Sequence, residues 1–331
     1  MSEIEIPDPT PGEPGPETAV PADPPESQGP YRNLLVPLVV VPAMIVMVLV
    51  LIFVLFGAIA GDEDSPRQNL DRLLSGGFNE RQQAAFNLVR QVLEYRRADA
   101  EGAAPEWDID ASFLPDLRAA REGVGKLEDP GDIPIPLVLS SLLAQLGDSQ
   151  GVSQLAEMTA LSAALDPDGQ YRLYAAWTLG AIGRELQPRD RAHAAETLIG
   201  LLESDDAGLV LVATAGLQNL PSAETTAALS GMLQSRVLEQ RGTAALSLAA
   251  LGDVAGAEVL REMLLPETYA AERSEEPTKW PPLRVSESRS KALEALVELG
   301  LAPSRKDLER WADEDADPNM RAAARKLLET I

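Results

Sequence analysis

Cysteine is absent from the 331 residues, so disulfides, thiol catalysis and thiolate metal sites are excluded. Histidine occurs once, at His193, and a histidine-based metal site needs several ligands. Aromatic residues make up only 4% of the chain. Basic residues are also scarce: 28 Lys and Arg stand against 52 Asp and Glu, a formal net charge of −24. Nucleic-acid binding needs a basic footprint that displaces counterions; none is present, so nucleic acid is not an expected partner. The sequence also has no G-x-x-x-x-G-K phosphate loop. No cofactor and no metal ion is expected.

What the chain does have is small apolar mass. Hydrophobic residues reach 45% and are mostly Ala, Leu and Val, a composition suited to close-packed helices. Residues 1–33 form a Pro-rich acidic tail with seven acids and one base, Arg32. Such a segment has little to bury and is expected to stay disordered, acting as a spacer. Leu34–Ala60 is an uncharged run of 27 residues. A bilayer core of roughly 30 Å needs about 20 helical residues, so the run is expected to be a transmembrane helix. Pro37 and Pro42 would kink its start. The alternative is a cleaved signal peptide ending at Ala58-Ile59-Ala60, opposed by the acidic n-region and the length of the run. Arg32 before the run and Asp62, Glu63 and Asp64 after it favour an N-terminus in the cytoplasm. For a bacterial cell this places residues 61–331 on the periplasmic side. Pro66 follows, where a helix can begin, with Ser65 as its N-cap.

Beyond Pro66 the pattern is helix, turn, helix. The stretch Tyr171–Gly183, YRLYAAWTLGAIG, sets Ala175, Ala176, Leu179 and Ile182 on one helical stripe. The Leu179 position returns as Leu88, Leu143, Leu217, Leu248, Leu296 and Leu328. Four residues earlier stand Ala84, Leu139, Ala175, Ala213, Ala244, Ala292 and Ala324. A glycine follows at Gly147, Gly183, Gly252 and Gly300, where a left-handed residue ends a helix. Weaker amphipathic segments lie between these helices: Asn69–Leu74, Phe113–Ala120, Val152–Leu165, Ala192–Leu202, Ala223–Leu233, Val254–Leu264 and Lys306–Trp311. The leucines are spaced by 31 to 55 residues, periods that mark an α-solenoid. The expected fold is therefore all-α, with about seven antiparallel helix pairs behind the tail and the transmembrane helix.

The motif inside each pair is an acidic turn, an arginine, small residues, a leucine and a glycine. It reads DPDGQYRLYAAWTLGAIG, LEQRGTAALSLAALGD, SESRSKALEALVELG and DEDADPNMRAAARKLLETI. These stretches resemble HEAT repeats, and most closely the short HEAT-like type named for phycobilisome lyases. The resemblance spans roughly Pro66–Ile331. It implies an interaction module in which Arg81, Arg172, Arg241, Arg289 and Arg321 tie neighbouring repeats through acids and carbonyls in the turns. The arginine is missing at Pro136 and Val210. Nothing in the residues points to chromophore chemistry, and the His-Glu pairs of metal-dependent solenoid hydroxylases are absent.

Insertions break the period near 96–111 and 266–288, and insertions in solenoids often lie on the binding face. They carry Trp107, Tyr269 and Trp280, which are candidate partner contacts unless they pack back onto the repeats. Trp177, inside the template helix, reads as core or inter-repeat packing. Asp313, Asp315, Asp317 and Asn319 alternate like the start of a calcium loop. Pro318 and Ala324 stand where that loop needs Gly and Glu, so an acidic turn capping the last helix is the better reading. The expected function is a non-catalytic, membrane-tethered scaffold for a protein or peptide. Two alternatives remain: an accessory subunit of a membrane complex, such as a transporter, docked through the transmembrane helix, and an enzyme with carboxylates between repeats.

Overall fold

The computed structural model describes residues 64–329, except 108, 110–111, 125–127, 129 and 271–279. The chain divides into two units, Met1–Glu63 and Asp64–Ile331, and only the second is described. The tail at 1–33 and the run Leu34–Ala60 both lie outside it.

Among the described residues there are fourteen α-helices and no strand. They are α1 (Pro66–Ser75), α2 (Phe78–Glu101), α3 (Phe113–Gly123), α4 (Pro134–Gln145), α5 (Ser149–Met158), α6 (Gln170–Ala181) and α7 (Pro188–Leu201), followed by α8 (Ala207–Gly216), α9 (Ala223–Met232), α10 (Leu238–Ala250), α11 (Ala257–Met263), α12 (Pro282–Glu298), α13 (Arg305–Glu314) and α14 (Pro318–Leu328). Each odd-numbered helix packs on the even-numbered helix that follows it. The even-numbered helices also touch one another in unbroken succession from α2 to α14. They form an inner layer and the odd-numbered helices an outer one.

The ends of the helices are set locally. Ser65 and Gln68 close a capping box ahead of α1, with Pro66 at the first helical position. Asp148, Asp206 and Asp317 accept backbone N–H bonds at the starts of α5, α8 and α14. Gly147, Gly252 and Gly300 adopt φ of 82°, 78° and 71°, the left-handed geometry that favours glycine. Gly183 differs. It opens a 3₁₀ turn, Gly183–Glu185, and a Cβ there would stand 2.7 Å from a Leu220 methyl and 2.9 Å from the Asn219 carbonyl. It is required by the close approach of the next pair, not by a positive φ.

The stripe is the core. Leu88, Leu143, Leu179, Leu217, Leu248 and Leu296 are fully buried, as are Leu139, Ala175, Ala213, Ala244, Ala292 and Ala324. Leu328 is only half-buried, at the end of the described stack. α4 is apolar nearly all round: Leu139, Leu142 and Leu143 join the core of the first two pairs, while Leu137 and Ala144 join the next.

The structure corrects the single-pass architecture. No helix among the described residues is long and apolar enough to cross a membrane. α2 has the length, at 24 residues, but carries eight charged side chains. α8 has the apolarity, but its 10 residues reach only about 15 Å. The transmembrane helix, the membrane as partner through 34–60 and the periplasmic location are not retained.

The insertions are shorter than expected. α2 continues to Glu101 and stops at Gly102, with φ of 66°. α12 begins at Pro282, inside the second insertion, with proline again in the first turn. The outer helix expected at Val152–Leu165 stops at Met158.

Candidate binding groove

An α-helix turns about 100° per residue, so the residue two before each stripe leucine lies on the opposite side of its helix. That position holds Phe86, Ser141, Trp177, Ala215, Leu246, Glu294 and Lys326. Trp177 is therefore not core. Its side is 57% exposed, and Phe86 at the equivalent place is 66% exposed. Ser141 is buried, its hydroxyl accepting from Gln145 at 3.0 Å.

Trp177 forms one wall of a groove of about 440 Å³ between α6, α8 and α10. Tyr174 supports the indole, with ring centroids 5.9 Å apart. Leu211, Val212 and Ala215 of α8 line the groove, with Glu239 and Thr243 of α10 beyond them. The floor is backbone, because α6 and α8 meet at two glycines: a Cβ on Gly180 would stand 2.5 Å from the Gly216 Cα. Asn219 locks that junction, donating to the Gly180 carbonyl at 3.0 Å and accepting from Arg184 at 3.0 Å.

The groove continues. Ala215, Gln218 and Thr243 also line a second depression of about 430 Å³ between α8, α10 and α12. Leu246 and Lys291 carry it into a third of about 200 Å³. The Thr243 hydroxyl is spent on the Glu239 carbonyl, whereas the Gln218 amide makes no hydrogen bond among the described residues. The character of the lining changes along its length. The residues that α6 and α8 themselves contribute are uncharged apart from the Arg184–Asn219 lock, and Glu239 of α10 is the one carboxylate at that end. At the α12 end Arg284 pairs with Glu239, while Glu287, Glu294 and Glu298 are exposed without an ion pair among the described residues, with Lys291 between them.

The three aromatics of the insertions are turned inward. Trp107 is half-buried against α2, its indole N–H donating to Glu94 at 2.6 Å and Arg90 lying over its ring at 5.6 Å. That hydrogen bond holds the Glu94 carboxyl below its ordinary range, against the upward pull of burial and with help from Arg90. Tyr269 and Trp280 are buried edge to face, 4.9 Å apart. The Tyr269 hydroxyl donates to the Met263 carbonyl at 2.8 Å, and burial pushes the phenol well above its ordinary range. The second insertion is thus in part a packing element rather than a free loop.

The five arginines fare differently. Arg172 reaches Asp166 of its own turn at 3.3 Å and Asp206 of the next pair at 3.8 Å. Arg241 joins the Arg236 carbonyl at 3.0 Å to Glu262 of α11 at 2.7 Å. Arg289 joins the Leu264 carbonyl at 2.8 Å to Asp315. Arg321 reaches the Asp315 carbonyl at 2.5 Å, inside its own turn. Arg81 is exposed, and its guanidinium makes no hydrogen bond or ion pair among the described residues.

His193 is exposed on α7. The Asp315 carboxylate is occupied by Arg289 and the Asp317 N–H, and Asp317 caps α14. Among the described residues no group of three or more His, Cys, Asp or Glu is placed to hold a metal ion. No protein-family model matches this chain, and no curated protein matches it.

Proposed function

We propose that this protein is a non-catalytic HEAT-like repeat scaffold that holds an extended segment of a partner protein in the groove along α6, α8 and α10. Trp177 carries the reading. An indole more than half exposed beside a floor of glycine backbone, Leu211 and Ala215 is a costly feature for a free surface and a suitable anchor for a partner. The free Gln218 amide offers a donor and an acceptor to a passing main chain. The HEAT-like assignment is supported by Arg172, Arg241 and Arg289, each linking two turns or helices at the same register. The perturbed groups Glu94, Tyr269 and Asp315 are engaged by packing partners away from the groove.

The test places a photo-crosslinking residue in the full chain at Leu211, in the groove, or at His193, on the outer layer. Protein crosslinks are expected from Leu211 and are expected to disappear when Trp177→Ala is added. Crosslinks from His193 alone, or Leu211 crosslinks indifferent to Trp177, would place the binding face elsewhere. Trp177→Ala itself should leave stability within about 0.5 kcal/mol, as a surface change.

A further inference from the structure

We infer that the segment held in this groove is basic at one end: an apolar residue seats against Trp177, and Lys or Arg side chains follow it onto Glu287, Glu294 and Glu298. This rests on the groove reading above and adds the partner's chemistry and direction.

The argument is charge complementarity along one continuous surface. The α6–α8 end offers Trp177, Leu211, Val212 and Ala215, which favour an apolar side chain, and its one carboxylate, Glu239, is already paired with Arg284. Two inner helices further on, the same surface is edged by three exposed carboxylates of α12. Residues 287, 291, 294 and 298 follow the helical face repeat, so all four point to the same side. Lys291 is the one unpaired cation among them, which leaves the α12 end net acidic. An acidic segment would meet like charge there, and a wholly apolar one would leave the carboxylates unanswered. Gln218 lies between the two ends, lining both of the larger depressions.

The spacing follows from packing. Neighbouring helices lie about 8–10 Å apart, so three steps from α6 to α12 span about 24–30 Å. An extended chain rises about 3.3 Å per residue, which sets the apolar residue about seven to nine positions from the cations.

The experiment is selection from a displayed random peptide library, about twelve residues long to cover that span, against the full chain. It is run with the unaltered protein, with Trp177→Ala, and with the triple variant Glu287→Gln, Glu294→Gln and Glu298→Gln. All three substitution sites are exposed, and circular dichroism should show unchanged helix content. The unaltered protein should enrich peptides carrying an apolar or aromatic residue with Lys or Arg seven to nine positions away. A synthetic peptide of that sequence should bind the triple variant about tenfold more weakly, as expected for several solvent-exposed ion pairs. The difference should shrink as salt is raised. Trp177→Ala should erase the apolar preference and leave the basic one. Enriched peptides that depend on Trp177 but are neutral or acidic would overturn the inference and leave the groove reading standing. Enrichment of no Trp177-dependent peptide would overturn both.

Discussion

Arg289 of α12 donates to both carboxylate oxygens of Asp315, the first bond at 2.9 Å, and joins the sixth helix pair to the turn that opens the last helix. Both side chains are nearly fully buried, at 2% and 5% exposure. Burying such a pair costs desolvation, and removing one member leaves the other charged and unanswered. Arg289→Met is therefore expected to destabilise by about 3–5 kcal/mol. Adding Asp315→Asn should recover part of that loss, because the stranded charge goes with it. Urea midpoints of the two single variants and the double variant check this; strictly additive costs would show that the two side chains do not act as a unit.

The same pair sets an acid limit. Burial pushes the Asp315 carboxyl up, but hydrogen bonds from Arg289 and the Asp317 N–H, with the charges of Arg289 and Arg321, outweigh it and hold the group below its ordinary range. A carboxyl depressed in the folded state binds fewer protons there than in the unfolded chain, so its contribution is complete above the unfolded value of about 3.9 and is lost as pH falls through the folded one. The stability gap between the native protein and Asp315→Asn should stay constant above about pH 6 and narrow as pH falls below the unfolded carboxylate value of about 3.9. Melting temperatures across that range would reveal a gap that widened in acid, the opposite sign.

Two glycines should respond in opposite directions to alanine. At Gly180 the new methyl meets the Gly216 Cα at 2.5 Å, so α6 and α8 must separate, at about 1–3 kcal/mol for an overpacked contact. At Gly200, inside α7, a Cβ finds nothing within 4 Å, and alanine should stabilise by about 0.4–1 kcal/mol. Equal effects in denaturant titrations would mean that the α6–α8 crossing is looser than described.

The stripe leucines are equivalent in sequence and unequal in burial. Leu248→Ala, at a fully buried site, should cost about 2–5 kcal/mol. Leu328→Ala, at the half-buried end of the stack, should cost distinctly less. Thermal melts that ranked them the other way would mean that the burial of the stripe is misassigned.

Much of this fold was legible because helix periodicity and capping are local. Ala84, Leu88 and their counterparts repeat at i and i+4, and Ser65, Asp206 and Asp317 sit at the helix starts they cap. The reading of Trp177 failed for a reason that was also local: it stands two residues before Leu179, about 200° around the helix. Leu179 is buried, and the indole on the far side of α6 is exposed. The candidate groove could have been suspected from Phe86 and Trp177 sharing that register.

The sequence by itself determined that the described residues beyond Pro66 form repeated helix pairs, since side-chain period, caps and terminating glycines act within a few residues of one another. Only the tertiary structure decided which surfaces those helices share. Tyr269 and Trp280 stand on either side of residues 271–279 and became core because they meet edge to face beside α11 and α12. Gly180 and Gly216 are 36 positions apart, yet their contact draws α6 against α8 and gives the groove its backbone floor. The acids of α12 became the far end of that groove because α8, α10 and α12 lie side by side. Such pairings are fixed by packing across the stack, where shape and burial select the partner, and nothing within a single repeat encodes them.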